Sequence, residues 1–342
     1  MSTPTSTRPK ADAAAIRARR GTADALRRSR ILPILAVLVA LVAVFSTLAP
    51  QAFPTIGNAQ NMLADAAILL VLATGSTYVI LTAGIDLSIN GVIVFGGVMA
   101  AKTITALGGD SLATLVAGAV VALLAGLAWG LLNGFLVARA RVPALIVTLG
   151  TLGMSLGSAL LITGGVDVVD IPIRLVVGLG SGRVAGVPWL AVVAVVVALV
   201  GGVVLAQTRF GRYTYATGSN AEALRRSGVN TTRHLIKVYA LAGLLSGLAG
   251  YLALARFATT TVGGHSTDNL QTIAAVVIGG TSLFGGIGGV AGSVVGVFIP
   301  VVLQNGFVVL GLSPFWQQVA VGAVLIAAVY ADQSRRKARE GG

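Results

Sequence analysis

Two histidines, eleven carboxylates and no cysteine make up the acid–base and nucleophilic chemistry available to this sequence. Without a thiol there is no disulfide framework, thiolate metal site or cysteine nucleophile. His234 stands at the entrance to an apolar run and His265 in a loop, so neither has the spacing of a metal site or a nucleophile–base pair. Most carboxylates, Asp110, Asp167, Asp170, Glu222 and Asp268 among them, fall in polar connections, which leaves Asp65 and Asp86 in apolar surroundings. An ion-driven carrier usually needs a buried relay of such groups, and their scarcity argues against that class. The nearest approach to a P-loop, Gly97 to Thr103, lacks the glycine before Lys102 and closes an apolar run. The sequence therefore reads as non-enzymatic, with no catalytic residue, cofactor or metal.

Neutral hydrogen-bonding chemistry remains. Asn133, Thr148, Thr151, Gln304 and Asn305 could supply donors and acceptors for a polyhydroxylated solute, with Trp129, Phe284 and Phe307 as apolar faces. The stretch Thr82 to Ser88 interrupts two apolar runs; Gly84 frees the backbone, and Asp86 or Ser88 can accept the orphan N–H groups of the helix that follows. Asp86 is expected to serve as that cap before touching any solute. Gly279 to Gly286 is a second break of the same kind, and the two are expected to frame a gate. The candidate translocation path is Asp86, Ser88, Asn133, Thr148, Phe284, Gln304 and Asn305.

These groups need elements to hold them. With 342 residues, 56% hydrophobic and 10% charged, the chain has the composition of a bilayer protein. Apolar runs at 31–49, 62–83, 88–107, 112–138, 143–163, 188–206, 235–255, 270–286, 288–310 and 315–331 predict about ten membrane helices. The expected fold class is an all-α integral membrane protein whose 82–88 and 279–286 breaks are loops or re-entrant segments. Gly126 and Gly130, and Gly243, Gly247 and Gly250, place small residues at the spacing of close helix packing.

The net charge of +13 is a statement about topology. With the N-terminus in the cytoplasm, every Lys and Arg except Lys102, Arg174, Arg183 and Arg256 falls on the cytoplasmic side, as the positive-inside preference requires. Both termini are then cytoplasmic, and nucleic-acid binding is not indicated. The expected organisation is a disordered basic tail at 1–30, a transmembrane domain at 31–331 that begins with an uncleaved anchor, and a basic tail at 332–342.

The longest inward connection, 207–234, carries a helix of its own. Ser219 and Glu222 form an S-x-x-E capping box, Ala221, Ala223 and Leu224 favour helix, Arg225 and Arg226 suit the negative end, and Gly228 supplies the left-handed C′ position. Two turns are too short to persist alone in water. A plain connection needs only about two to eight residues, so this helix is expected to dock onto a partner.

Several stretches carry a family resemblance: F-G-R-Y-T-Y-A-T-G-S-N-A-E-A-L-R-R-S-G-V-N at 210–230, V-I-L-T-A-G-I-D-L-S at 79–88, L-L-N-G-F-L-V-A at 131–138, P-A-L-I-V-T-L-G-T-L-G at 143–153 and I-A-A-V-V-I-G-G-T-S-L-F-G-G at 273–286. Together they resemble ABC-importer permeases of the ribose/xylose/galactose type, related to branched-chain amino acid permeases. The resemblance implies a bacterial plasma (inner) membrane protein forming a homodimeric or heterodimeric pore for a monosaccharide. It also implies two cytoplasmic ATPase subunits and an extracytoplasmic sugar-binding protein as partners. Ser219, Asn220, Glu222, Leu224 and Gly228 would then form a coupling helix seated on the ATPase, with Arg225 and Arg226 added from charge. Branched-chain amino acid, nucleoside or sugar-like signal remain alternative cargoes, and a stand-alone ion-coupled carrier the alternative class. Departures from the pattern are Ala83 in place of glycine, and Asn269 and Gln271 where the family commonly has Glu and Asp.

Overall fold

A computed structural model describes residues 31–260, 263–313 and 315–340; the basic tail expected at 1–30 lies outside the described residues. The chain runs α1 (Ile31–Leu48), α2 (Ile56–Leu81), α3 (Ile89–Ala106), α4 (Leu112–Ala138) and α5 (Ala144–Thr163). A short helical stretch (Ile173–Leu175, Val176–Gly180) and a two-stranded antiparallel hairpin, β1 (Arg183–Val184) with β2 (Val187–Pro188), follow. Then come α6 (Trp189–Gln207), α7 (Arg209–Arg226), α8 (Thr231–Phe257), α9 (Asp268–Ile278), α10 (Val290–Val309) and α11 (Phe315–Glu340).

Caps set several of these boundaries. Thr55 accepts from the amide of Asn58, Ser111 from Thr114, Thr208 from Gly211 and Asn230 from Arg233, each filling an orphan donor in a first helical turn. Seven of the described helices, α2 to α6, α8 and α10, are long and apolar enough to cross a membrane. α1 is nearly as long. α9, with 11 residues, rises only about 16 Å, roughly half of a ~30 Å hydrocarbon core. The span expected at 270–286 is thus a half-length helix followed by non-helical backbone from 279 to 289. The 82–88 break, by contrast, joins two full-length helices. α11 continues as helix to Glu340, beyond the expected boundary at 331.

α2 and α8 are apolar around most of their circumference and buried along most of their length, so they form the inner pair. α4, α5 and α6 leave Leu131, Phe135, Leu149, Leu161, Leu199 and Val203 exposed, a surface suited to lipid. The small-residue spacing read from the sequence is where α4 meets α8. A Cβ on Gly126 or Gly130 would collide with the α8 backbone at Gly243, and the two chains approach to backbone contact. At the other edge Phe45, Phe53 and Phe307 cluster, with ring centroids 5.5 and 6.1 Å from Phe45, and fix α1 to α10.

Candidate functional site: the α7 segment and the two helix breaks

α7 is hydrogen-bonded as one helix, but Asn220 leaves helical geometry (φ −162°, ψ 89°) and divides it into an arm, 209–219, and a tip, 221–226. The tip is the short helix expected from the sequence, with its cap reassigned. Asn220, and not Ser219, is the N-cap: its Oδ1 accepts from the Ala223 amide at 2.9 Å. Glu222 does not close a capping box. Its carboxylate accepts from Arg225 at 3.0 Å and Arg226 at 3.1 Å, and these bonds hold it below the usual carboxylate range, so it is anionic at neutral pH. Extended backbone at Asn220 makes it the cap, and arginines one turn on outcompete the amide for Glu222. The tip ends as a Schellman turn: the Gly228 amide donates to Arg225 and the Val229 amide to Leu224, with Gly228 at φ +86°. Leu224 and Val229 are half-buried, while Ala221 to Ala223 and Arg225 to Gly228 are exposed.

The arm is held from within. Gly211, Thr214 and Thr217 are buried. The Thr214 hydroxyl lies 3.1 Å from His234 Nε2, and the His234 ring packs on Phe210 and Tyr213 at 4.9 and 6.0 Å. His234 therefore joins α7 to the start of α8. Tyr215 donates its hydroxyl to the Gly288 carbonyl at 2.8 Å, and burial raises its phenol pKa. Gly218 sits where backbones converge: a Cβ there would strike the Leu81 carbonyl and the Gly286 amide. Those two groups are themselves bonded, Gly286 N to Leu81 O at 2.9 Å, and Ser219 lies against Gly286. One short helical arm thus touches the end of α2, the entry to the 82–88 break and the 279–289 break.

From Leu81 the chain turns through Ala83, which adopts a left-handed φ of +59°. Asp86 is buried, and its Oδ1 accepts from the Ser88 amide at 2.8 Å and the Ser88 hydroxyl at 2.6 Å. Neither residue caps α3 as expected, because Asp86 closes its own turn and Ser88 is already helical (φ −76°, ψ −13°). The α3 cap comes from α9: Asn269 Oδ1 accepts from the Asn90 amide at 2.9 Å, while Asn269 Nδ2 donates to the Leu87 carbonyl at 2.6 Å. A glutamate could not make that second bond. The chain of bonds continues from Ser88 to Asn133 (2.8 Å) on α4 and Thr151 (2.7 Å) on α5, all of them buried.

The residues expected on one path are therefore distributed. Asp86, Ser88 and Asn133 meet in one hydrogen-bonded network, and Asp86 also lines a cavity of about 120 Å³. Thr148 returns its hydroxyl to Ala144 within α5. Phe284 is exposed in the second break. Asn305 makes a reciprocal amide pair with Asn58, 2.8 Å in each direction, tying α10 to α2. Trp129 packs edge-on to Phe95.

Gln304 belongs to a different place. It lines a cavity of about 310 Å³ between α2, α8, α9 and α10, together with Asp65, His265, Asp268 and Gln271. Arg256 reaches Asp65 there, Nε to Oδ1 at 3.0 Å, and His265 Nδ1 lies 2.7 Å from Asp268 Oδ2. His265 is buried, not a free loop residue. Asp65 is about 24 Å along α2 from Leu81, and Arg256 about 33 Å along α8 from His234, so this cavity and α7 occupy opposite ends of the bundle. Sequence reasoning passed over the arm residues Thr214 and Gly218; the small residues Gly211, Thr214 and Thr217 at three-residue spacing were the signal that could have found the arm.

Comparison with known proteins adds a second line of observation. A family model described as branched-chain amino acid transport system / permease component matches residues 58–329. A ribose import permease protein of Escherichia coli K12 is 38% identical over 305 residues, covering 88% of this chain and 93% of its own length. A fructose import permease protein of Rhizobium meliloti is 33% identical, with 90% and 86% covered, and a D-allose transport system permease protein of Escherichia coli K12 is 31% identical, with 87% and 90% covered. No solved structure matches the chain.

Proposed function

The chain belongs to the permease family of branched-chain amino acid transport systems, and from that premise we propose that it forms the membrane pathway of an ATP-driven importer for a monosaccharide. Its relatives that import ribose, D-allose and fructose support the cargo class. The chain itself is a permease and not the ATPase; hydrolysis falls to a separate cytoplasmic subunit, and delivery to an extracytoplasmic binding protein. A second permease copy, or a sister chain, completes the pore. α7 and both termini face the cytoplasm, as the distribution of Lys and Arg favours.

The observation that carries this reading is α7. Its tip is an exposed, charged and doubly capped helix too short to be stable without support. Its arm leaves no space between the ends of both helix breaks. Closure of the ATPase pulling or pressing on the tip is thereby delivered to the backbone at Leu81 and Gly286 together, at the entrance to 82–88 and within 279–289. The breaks are then the moving parts, and the Asp86–Ser88–Asn133–Thr151 network keeps the far side of the first one anchored to α4 and α5.

Reconstitution tests the reading. Vesicles holding the permease with its ATPase and binding protein take up D-ribose, D-allose or D-fructose when ATP is inside the ATPase-facing compartment, and take up none without ATP. Uptake by the permease alone under a proton gradient would assign it to the ion-coupled carriers instead.

A further inference from the structure

The cavity at the end of the bundle remote from α7 is not explained by helix packing. Ionisable side chains are expensive within apolar helices and are retained where they pair or face a wet cavity. Here α2 contributes Asp65, α9 contributes Asp268 and Gln271 and α10 contributes Gln304, while Arg256 of α8 pairs with Asp65 beside the cavity. Each carboxylate has a partner, Asp65 the Arg256 guanidinium and Asp268 the His265 ring. Among the described residues no three His, Cys, Asp or Glu side chains converge as a metal site.

We propose that this cavity is a binding site in the permease itself for a neutral sugar of pentose or hexose size, a refinement that rests on the import reading above. Four properties select that ligand. The cavity, at about 310 Å³, is at the small end of the range for small-molecule sites. Each of its carboxylates already has a partner, Arg256 for Asp65 and the His265 ring for Asp268, so neither stands as an open charge for an ionic solute. Carboxylates offer acceptors and the two glutamine amides offer both donors and acceptors, which matches hydroxyls that donate and accept at once. Phe257, 46% exposed at the cavity wall, supplies an apolar face for a ring. Gln271 is nearly buried and donates to Thr267 Oγ1 at 3.2 Å, so its amide is held in one orientation and its carbonyl is fixed relative to the cavity. Gln304 is the more exposed of the two amides, on the facing helix. A site here gives the permease a selectivity of its own, applied after the binding protein has released its cargo.

The absence of native cysteine makes a direct test available. Gly264→Cys places a thiol at the cavity wall without removing a polar contact. In the full-length permease held in nanodiscs, a charged maleimide labels this thiol, and D-ribose, D-allose or D-fructose slows labelling. At a sugar concentration of twice Kd the rate falls about threefold, and L-leucine at the same concentration leaves it unchanged. Adding Gln271→Leu and Gln304→Leu abolishes protection while the rate without sugar is retained, which shows that the cavity is still formed. Failure of all three sugars to protect, equal protection by L-leucine, or protection that survives the two leucines overturns the proposal; a thiol that never labels does so too, because the site is then closed to solute. The import reading fails separately, on absence of ATP-driven uptake by the complete wild-type complex.

Discussion

At the α7 end of the bundle, segments distant in sequence meet through their backbones: Gly286 donates to Leu81, and Gly218 leaves no room for a side chain between them. At the remote end, α2 and α8 meet through the charged tips of Asp65 and Arg256, with a cavity beside them. Backbone contacts have no rotamers to absorb a displacement, so the first arrangement suits the transmission of movement. Long side chains around a void can rearrange, and groups that pair with each other can also pair with a ligand. The contrast assigns force to one end and recognition to the other, within a single set of continuous helices.

Variants can break this division. The largest effect is expected from Leu224→Pro, which removes the hydrogen bond to Asn220 and clashes with its carbonyl, a cost of about 3 kcal/mol or more in a helix of two turns. Co-purification of the ATPase subunit is then lost, while sugar protection of Gly264→Cys at the other end persists; loss of both would mean that the ends are not independent. A smaller effect follows from Asn269→Glu, the residue that the family resemblance leads one to expect there. Glutamate cannot donate to Leu87, and it sets a carboxylate beside that carbonyl. The thermal midpoint in detergent is expected to fall by an amount equivalent to about 1–2 kcal/mol, the size of a lost cap. Ala83→Gly lies at the bottom of the scale. It relieves a left-handed alanine, worth about 1–2 kcal/mol, against the extra chain entropy of glycine, about 0.5–1 kcal/mol, so the thermal midpoint rises slightly.

Much of the α7 tip was legible in the sequence because its signals are local: Gly228 past the last turn, Arg225 and Arg226 in it, helix formers between. The cap was misplaced by one residue, since Ser219 and Asn220 are both good caps and only the kink decides between them. Apolar runs located the membrane helices, but hydropathy does not distinguish the half-length α9 with its following loop from a full span, because both read as continuous apolar residues with glycines. Of the path residues, Asp86, Ser88 and Asn133 were brought together by mutual hydrogen bonds, with Asp86 also on the wall of a small cavity. The remote cavity was not legible as a site, although Asp65, Gln271 and Gln304 were each singled out. Asp65, Arg256, Gln271 and Gln304 come from four helices, and no pairwise spacing in one chain announces such a meeting. His265 does lie in the turn before α9, as read, but its burial and its contact with Asp268 show only once α9 is seen to begin there.

The central claim is that the arm of α7 transmits what its tip receives, and Gly218 separates the two roles. In the reconstituted complex, Gly218→Val is expected to bind the ATPase as the wild type does, since the tip from Ala221 to Gly228 is unaltered, and to lose ATP-driven sugar uptake, since the side chain forces apart Leu81 and Gly286. Uptake at the wild-type rate by that variant, with the ATPase bound, would contradict the account.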